Sequence, residues 1–158
     1  MRTLKILLKF FLIVLILISV FGFLYYHHLK PIYSGEISLT NIETETTAYF
    51  DDFGIPHIYA DSHKDALTTL QELARFHRKE LKCKILGITG SNGKTSTKEL
   101  LKHILSAKFD IHATEGNYNT SISLPLTLLQ LTSFHGASIL EMGASQLGDI
   151  KELCKIAN

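Results

Sequence analysis

The segment Ile85–Leu105, ILGITGSNGKTSTKELLKHIL, limits the fold of this chain more than any other part of it. A short apolar run, a turn bearing two glycines and a stretch with apolar residues three and four apart specify strand, turn and helix in that order. Gly90 and Gly93 let the backbone curl, so that successive N–H groups can face inward as an anion nest. A helix beginning near Thr95 adds its positive end to that nest. Lys94 is then within reach of outer phosphates, and the Thr95 hydroxyl is placed to ligate Mg²⁺. The pattern G-x-x-x-x-G-K-[ST] is met except at its first glycine, where Ile88 stands, so the turn is a variant of the P-loop. The competing reading of GKT is a plain helix start after a glycine turn. The flanking strand and the stripe Leu100, Leu101, Ile104 and Leu105 weigh against it, and the stripe itself reads as core.

Downstream, FDIHATEGNYNTSISLPLTLLQL predicts a second strand, a polar loop and a helix. GASILEMGASQLGDIKELCKIAN predicts a third strand ending in Glu141, then Gly143 and another helix. Alternating strands and helices imply a parallel sheet with ligands at the carboxyl ends of its strands. Glu141 falls at such an end, where a carboxylate facing a phosphate turn can hold Mg²⁺ directly or through water; the alternative is a solvated strand-end acid. Upstream, Ala66, Leu67, Leu70, Leu73, Ala74 and Phe76 recur at helical spacing and predict an amphipathic linker helix over residues 63–81.

The N-terminus is of another kind. Phe10–Tyr26 holds seventeen uncharged residues, about 25 Å as a helix, and residues 6–26 suffice for one membrane pass. Arg2, Lys5 and Lys9 precede the run, which places the N-terminus in the cytoplasm and the remainder outside. A cleaved signal peptide is the alternative, with a weak small-residue site at Val20-Phe21-Gly22. Residues 1–34 contain Lys30 as well and no acid, whereas residues 35–62 contain six acids and no Lys or Arg. The remaining residues mix twelve Lys or Arg with nine acids, without aromatic interleaving, so nucleic-acid binding is not indicated despite a net charge of +1. Residues 35–62 predict two strands around the turn-like DDFG, with Pro56 at a strand start or edge and His57 packing beside it. Cys83 and Cys154 lie far apart and read as buried thiols rather than a disulfide, and the histidines show no metal-ligand spacing.

Two resemblances bear on this layout. GEISL followed by YFDDFGIPHIYADSHKDAL, residues 35–67, resembles the opening of the penicillin acylase family, secreted amidohydrolases with an N-terminal nucleophile. No nucleophile of that kind can be matched in this chain, so amidase activity is not expected.

From about residue 65 to the end, ALTTLQELARFHR, ITGSNGKTSTKELL, ATEGNYN, LPLTLLQL and ILEMGASQLGDIKELCKIA resemble, in order, the ATP-binding central domain of the Mur ligases. The nearest branch of that family joins UDP-MurNAc-tripeptide to D-Ala-D-Ala in peptidoglycan precursor synthesis. The resemblance implies that Gly90, Ser91, Asn92, Gly93, Lys94, Thr95 and Ser96 form the ATP phosphate loop. It makes Lys94 the catalytic cation, puts Thr95 and Glu141 on Mg²⁺, and sets Asn117 and Asn119 toward nucleotide and substrate. Where the family reads N-N-x-I-G, this chain has Thr120 and Ser123 at the second Asn and the Gly. The implied chemistry is phosphoryl transfer from ATP to a peptide carboxylate, followed by attack of an amine on the acyl phosphate.

The expected fold class is therefore α/β: a partial parallel sheet with a P-loop and flanking helices, preceded by a transmembrane helix and a short β-hairpin segment. Four parts are expected: anchor or signal 1–30, acylase-like 31–62, linker helix 63–81, and a truncated ligase-like domain 82–158 that binds ATP without turning over. An alternative is a membrane-anchored noncatalytic acylase-like fragment; another is a chimeric gene product joined in DALTTL. Cytoplasmic ATP and an outward-facing anchor are incompatible placements for one working enzyme.

Overall fold

A computed structural model describes residues 2–28, 36–39 and 41–158. Lys30 of the basic start and Gly35, where the acylase-like stretch begins, lie outside the described residues. The chain forms two compact units, Met1–Gly35 and Glu36–Asn158. Among the described residues the first contains one helix, α1 (Arg2–His28), whose window Ile6–Tyr25 has a mean hydropathy of 2.9 over 20 residues and is unburied. By length and composition it can cross a membrane; a signal sequence meets the same criterion.

The second unit begins with β1 (Thr47–Phe50) and β2 (Pro56–Tyr59), paired antiparallel with Phe50 opposite Pro56. Pro56 opens its strand, where a missing N–H costs little. The turn between them is organised by Asp51, whose Oδ1 accepts from the N–H groups of Phe53 and Ile55, each at 2.9 Å. Gly54 sits in it at φ 76°. His57 does more than pack beside proline: its Nε2 lies 3.1 Å from Asp51 Oδ2, and its ring stacks on Tyr49 at 4.9 Å.

Helix α2 (His63–Glu80) starts at Ser62, whose hydroxyl accepts the Asp65 N–H at 3.0 Å. Asp65 is buried and in turn accepts from Glu43 N and the Thr44 hydroxyl, which binds the acidic stretch to the helix start.

The remaining elements are β3 (Lys84–Ile88), α3 (Lys94–Leu105), β4 (Ile111–Ala113), α4 (Ser123–Leu129), β5 (Ala137–Glu141) and α5 (Asp149–Ala157). The three strands form a parallel sheet of order β3-β5-β4. Strand β5 is central and every residue of it is buried, as expected of a parallel strand covered on both faces. Alternation along it sends Leu140 into a core with Ala74 of α2, Leu124 and Leu128 of α4, Leu131, Met142, and Leu153 and Ile156 of α5. Full burial of each leucine there stabilises the fold by about 1.5–3 kcal/mol. Ile139 and Glu141 point to the opposite face, toward α3.

Two expectations are corrected. The stripe assigned to α3 is not all core: Leu100 is 60 % and Ile104 56 % exposed, while Lys98 is buried at 2 %. Lys98, Leu101 and Leu105 share the sheet-facing side at i, i+3 and i+7, which leaves Leu100 and Ile104 outside. Of the two thiols only Cys83 is buried; Cys154 is exposed on α5, and both are free.

Candidate functional site

Parallel pairing puts Ile88, the last residue of β3, opposite Glu141, the last residue of β5. The segment Thr89–Gly93 therefore leaves the sheet beside the acid. Gly90 at φ 145° and Gly93 at φ 77° hold conformations that side-chain-bearing residues rarely adopt. Gly93 caps α3 without a side chain, so the first amides of the helix are left to other partners. Ser91, Asn92 and Ser96 are exposed around this turn. Lys94 folds back over it, its Nζ donating to the Gly90 carbonyl at 2.8 Å. The helix starts at Lys94, one residue before the expected Thr95.

Glu141 is only 3 % exposed, and both its oxygens are engaged. Thr95 Oγ1 donates to Oε2 at 2.9 Å and Asn119 Nδ2 to Oε1 at 3.1 Å. A carboxylate with so little water needs such donors. Glu141 is thus not a solvated strand-end acid; its side chain turns into the gap between α3 and the loop after β4. Asn119 is held there by its neighbours, since the Gly143 N–H donates to its carbonyl at 2.8 Å. A Cβ on Gly143 would stand 3.1 Å from the Asn119 amide carbon, so glycine leaves that side chain its place. Asn117 is exposed and meets the site through its backbone, its carbonyl accepting from Asn119 N at 2.8 Å.

Thr120 and Ser123, which replace the Asn and Gly of the family pattern, bond to each other. Thr120 N donates to Ser123 Oγ at 3.1 Å, Ser123 N to Thr120 Oγ1 at 3.3 Å, and the hydroxyls lie 2.9 Å apart. This reciprocal arrangement resembles a capping box and secures the start of α4. Beside it opens a cleft of about 390 Å³ between the α4 and α5 ends, lined by Asn119, Thr120, Ser121, Gly143, Ser145 and Asp149 among others. The Asp149 carboxyl lies below its ordinary range, chiefly because the Ser145 and Gln146 N–H groups donate to it.

Reading the residues in line missed two members of this neighbourhood, Lys98 and Thr114. Thr114 Oγ1 accepts the Glu141 N–H at 3.0 Å, and Lys98 Nζ donates to the Thr114 carbonyl at 2.6 Å. The one signal available was a lysine at i+3 from Thr95 on a sheet-facing helix. Among the described residues, no three His, Cys, Asp or Glu side chains form a cluster able to hold a metal ion.

This corner of the fold is similar to a known class: residues 88–158 match the Mur ligase middle domain. Similar proteins within that class include ligases of one name. UDP-N-acetylmuramoyl-tripeptide–D-alanyl-D-alanine ligase of Bacillus subtilis is 44 % identical over 94 residues, covering 60 % of this chain and 21 % of the relative. The Escherichia coli protein of the same name is 36 % identical over 99 residues, 63 % of this chain and 21 % of its own length. Solved structures agree. The corresponding ligase from Acinetobacter baumannii superposes with a TM-score of 0.59 at 33 % identity, over 68 % of this chain and 24 % of that one. A MurF ligase from Thermotoga maritima in complex with ADP gives 0.55 at 39 % identity, over 63 % and 24 %. The chain thus spans about a fifth of the length of the curated relatives it matches. None of these matches is a penicillin acylase, and the likeness of residues 35–67 to that family finds no support in them.

Proposed function

We propose that residues 65–158 bind ATP with Mg²⁺ as the nucleotide-binding part of a MurF-type ligase, with the turn Gly90–Ser96 acting as a P-loop. The observation that carries this reading is the convergence of three groups at adjacent strand ends. These are the first amides of α3, which Gly93 leaves without a side-chain cap, the Lys94 ammonium, and the Thr95–Glu141 oxygen pair 2.9 Å apart. Amides and a helix start suit phosphate oxygens. Lys94 would exchange the Gly90 carbonyl for the outer phosphates. A hydroxyl and a carboxylate are the hard oxygen donors that Mg²⁺ takes, one or two at a time, beside phosphate and water. Bound there, the ion would neutralise charge on the transferred phosphoryl group. The ADP in the Thermotoga ligase supports the same assignment.

By relation to the whole ligases, the parent reaction transfers the γ-phosphoryl group of ATP to the carboxylate of UDP-MurNAc-tripeptide. The amine of D-Ala-D-Ala then displaces phosphate, leaving ADP and a new peptide bond in peptidoglycan precursor synthesis. Asn117 and Asn119 would face the reacting groups, with Asn119 also steadying Glu141. Lys94 would stabilise the charge that develops on the phosphoryl oxygens.

Calorimetric titration of the full chain with ATP, in Mg²⁺ and in EDTA, tests the proposal. Lys94→Ala should weaken binding by about 1.5–3 kcal/mol, the worth of a charge-assisted hydrogen bond, or roughly 10- to 150-fold. Glu141→Gln should abolish the Mg²⁺ dependence alone. A folded wild-type chain indifferent to ATP would refute it.

A further inference from the structure

Lys98 is a buried ammonium on a helix whose later sheet-facing residues, Leu101 and Leu105, are apolar. An unbranched apolar side chain could fill the same space without the cost of burying a charge. Its position shows what the charge does. Lys98 stands one helical turn after Thr95 on the same face of α3, and its Nζ donates to the Thr114 carbonyl at 2.6 Å and lies 3.1 Å from the Glu99 carboxylate. Thr114, just past the end of β4, is latched to β5 on both sides of Leu140. Its N–H donates to the Ile139 carbonyl at 3.0 Å, and its Oγ1 accepts the Glu141 N–H at 3.0 Å. Glu141 closes the circuit by accepting from Thr95 at 2.9 Å. A ring of contacts thus runs from Thr95 to Lys98, Thr114, Glu141 and back, joining α3 to two strands.

Resting on the ATP and Mg²⁺ reading above, we infer that Lys98 is a positioning residue. Through Thr114 it sets the separation of the Thr95 hydroxyl and the Glu141 carboxylate, and so the geometry offered to a divalent cation bridging to a nucleotide phosphate. The two oxygens sit on different elements, and a helix can slide or roll on a sheet. The Thr95–Glu141 bond alone is one pin; Lys98 on Thr114 is a second, a turn further along the helix, and two pins fix both displacement and rotation. Thr114 transmits the position to Glu141 at its backbone, upstream of the carboxylate.

The test uses the full chain with Lys98→Met, which keeps the stem and removes the ammonium, and with Thr114→Val and Thr114→Ser. ATP affinity is measured in Mg²⁺ and in EDTA, with circular dichroism for folding and the Thr95 amide resonance recorded without nucleotide. Loss of an outer partner costs about 10- to 100-fold in metal affinity elsewhere, and a drop of that order in the Mg²⁺ enhancement is expected for Lys98→Met and Thr114→Val. Affinity in EDTA should hold, Thr114→Ser should behave as wild type, and the Thr95 resonance should move in both impaired variants. An undiminished Mg²⁺ enhancement in either folded variant overturns the inference, as does an equal loss in Mg²⁺ and EDTA. Should Lys98→Met fail to fold, the same measurements on Thr114→Val decide between these outcomes. Should the wild type bind no nucleotide, the ATP reading falls, and the Thr95 resonance in Thr114→Val still decides whether the ring positions Thr95: unmoved, it overturns the inference; moved, it supports the linkage.

Discussion

His112 in β4 lies beside His135, ring centroids 5.1 Å apart and edge-on, with its Nδ1 3.4 Å from the Ser138 hydroxyl. Burial foremost, then the neighbouring His135, pushes its imidazole below the ordinary histidine value; Gln130 and Glu115 oppose this and Lys102 adds to it. The folded chain therefore binds this proton less readily than the unfolded chain. Stability is intact above the ordinary value, about pH 6.5, and is lost as the pH falls below it. Asp51, Asp65 and Asp149 are lowered as well, each chiefly by a backbone N–H, from Ile55, Glu43 and Ser145 respectively. Their contribution is present above about pH 3.9 and disappears as the pH falls through their depressed values. Thermal unfolding should show a melting temperature that declines in two stages on acidification, below about 6.5 and again below about 4. His112→Gln should remove the first stage only; its persistence in that variant would exclude His112 as the cause.

Helices α3 and α4 show how poorly apolar character ranks an element's contribution. Leu128 in α4 is wholly buried in the core with Leu140 and Leu153, whereas Leu100 in α3 is 60 % exposed. Leu128→Ala should lower unfolding free energy by about 2–5 kcal/mol, since it removes buried methyls and leaves a cavity. Leu100→Ala should stay within about 0.5 kcal/mol. Urea denaturation of both variants checks the contrast, and equal losses would mean that α3 buries its outer face. In sequence the two leucines look alike, each in an apolar repeat at helical spacing. What separates them is which side of the helix the sheet takes up, and Thr95 and Lys98 fix that through their bonds to Glu141 and Thr114. Helix α2 is likewise tied into this unit: His77 Nε2 lies 2.8 Å from the Leu131 carbonyl and Gln71 donates to the Ser121 carbonyl at 3.1 Å.

For the whole molecule, the ATP reading requires residues 36–158 in the cytoplasm, against the charge bias of the N-terminal helix. Cys154 offers a probe, being an exposed free thiol while Cys83 is buried. In intact cells a membrane-impermeant maleimide should leave Cys154 unlabelled and should react after permeabilisation; labelling of intact cells would place the unit outside and remove its access to ATP. Much of this architecture was legible in the order of residues. Apolar runs bounded by glycine and polar loops marked β3, β4 and β5, and Gly90, Gly93 and Lys94 marked the turn, because backbone freedom and helix periodicity are local properties. The end of β5 at Glu141 was local in the same sense. Strand order was not: only packing puts β5 between β3 and β4, and so brings Glu141 within 2.9 Å of a threonine 46 positions earlier. Nor could composition show Lys98 buried or Leu100 exposed, since the burial of a charge depends on a carbonyl that arrives from another strand.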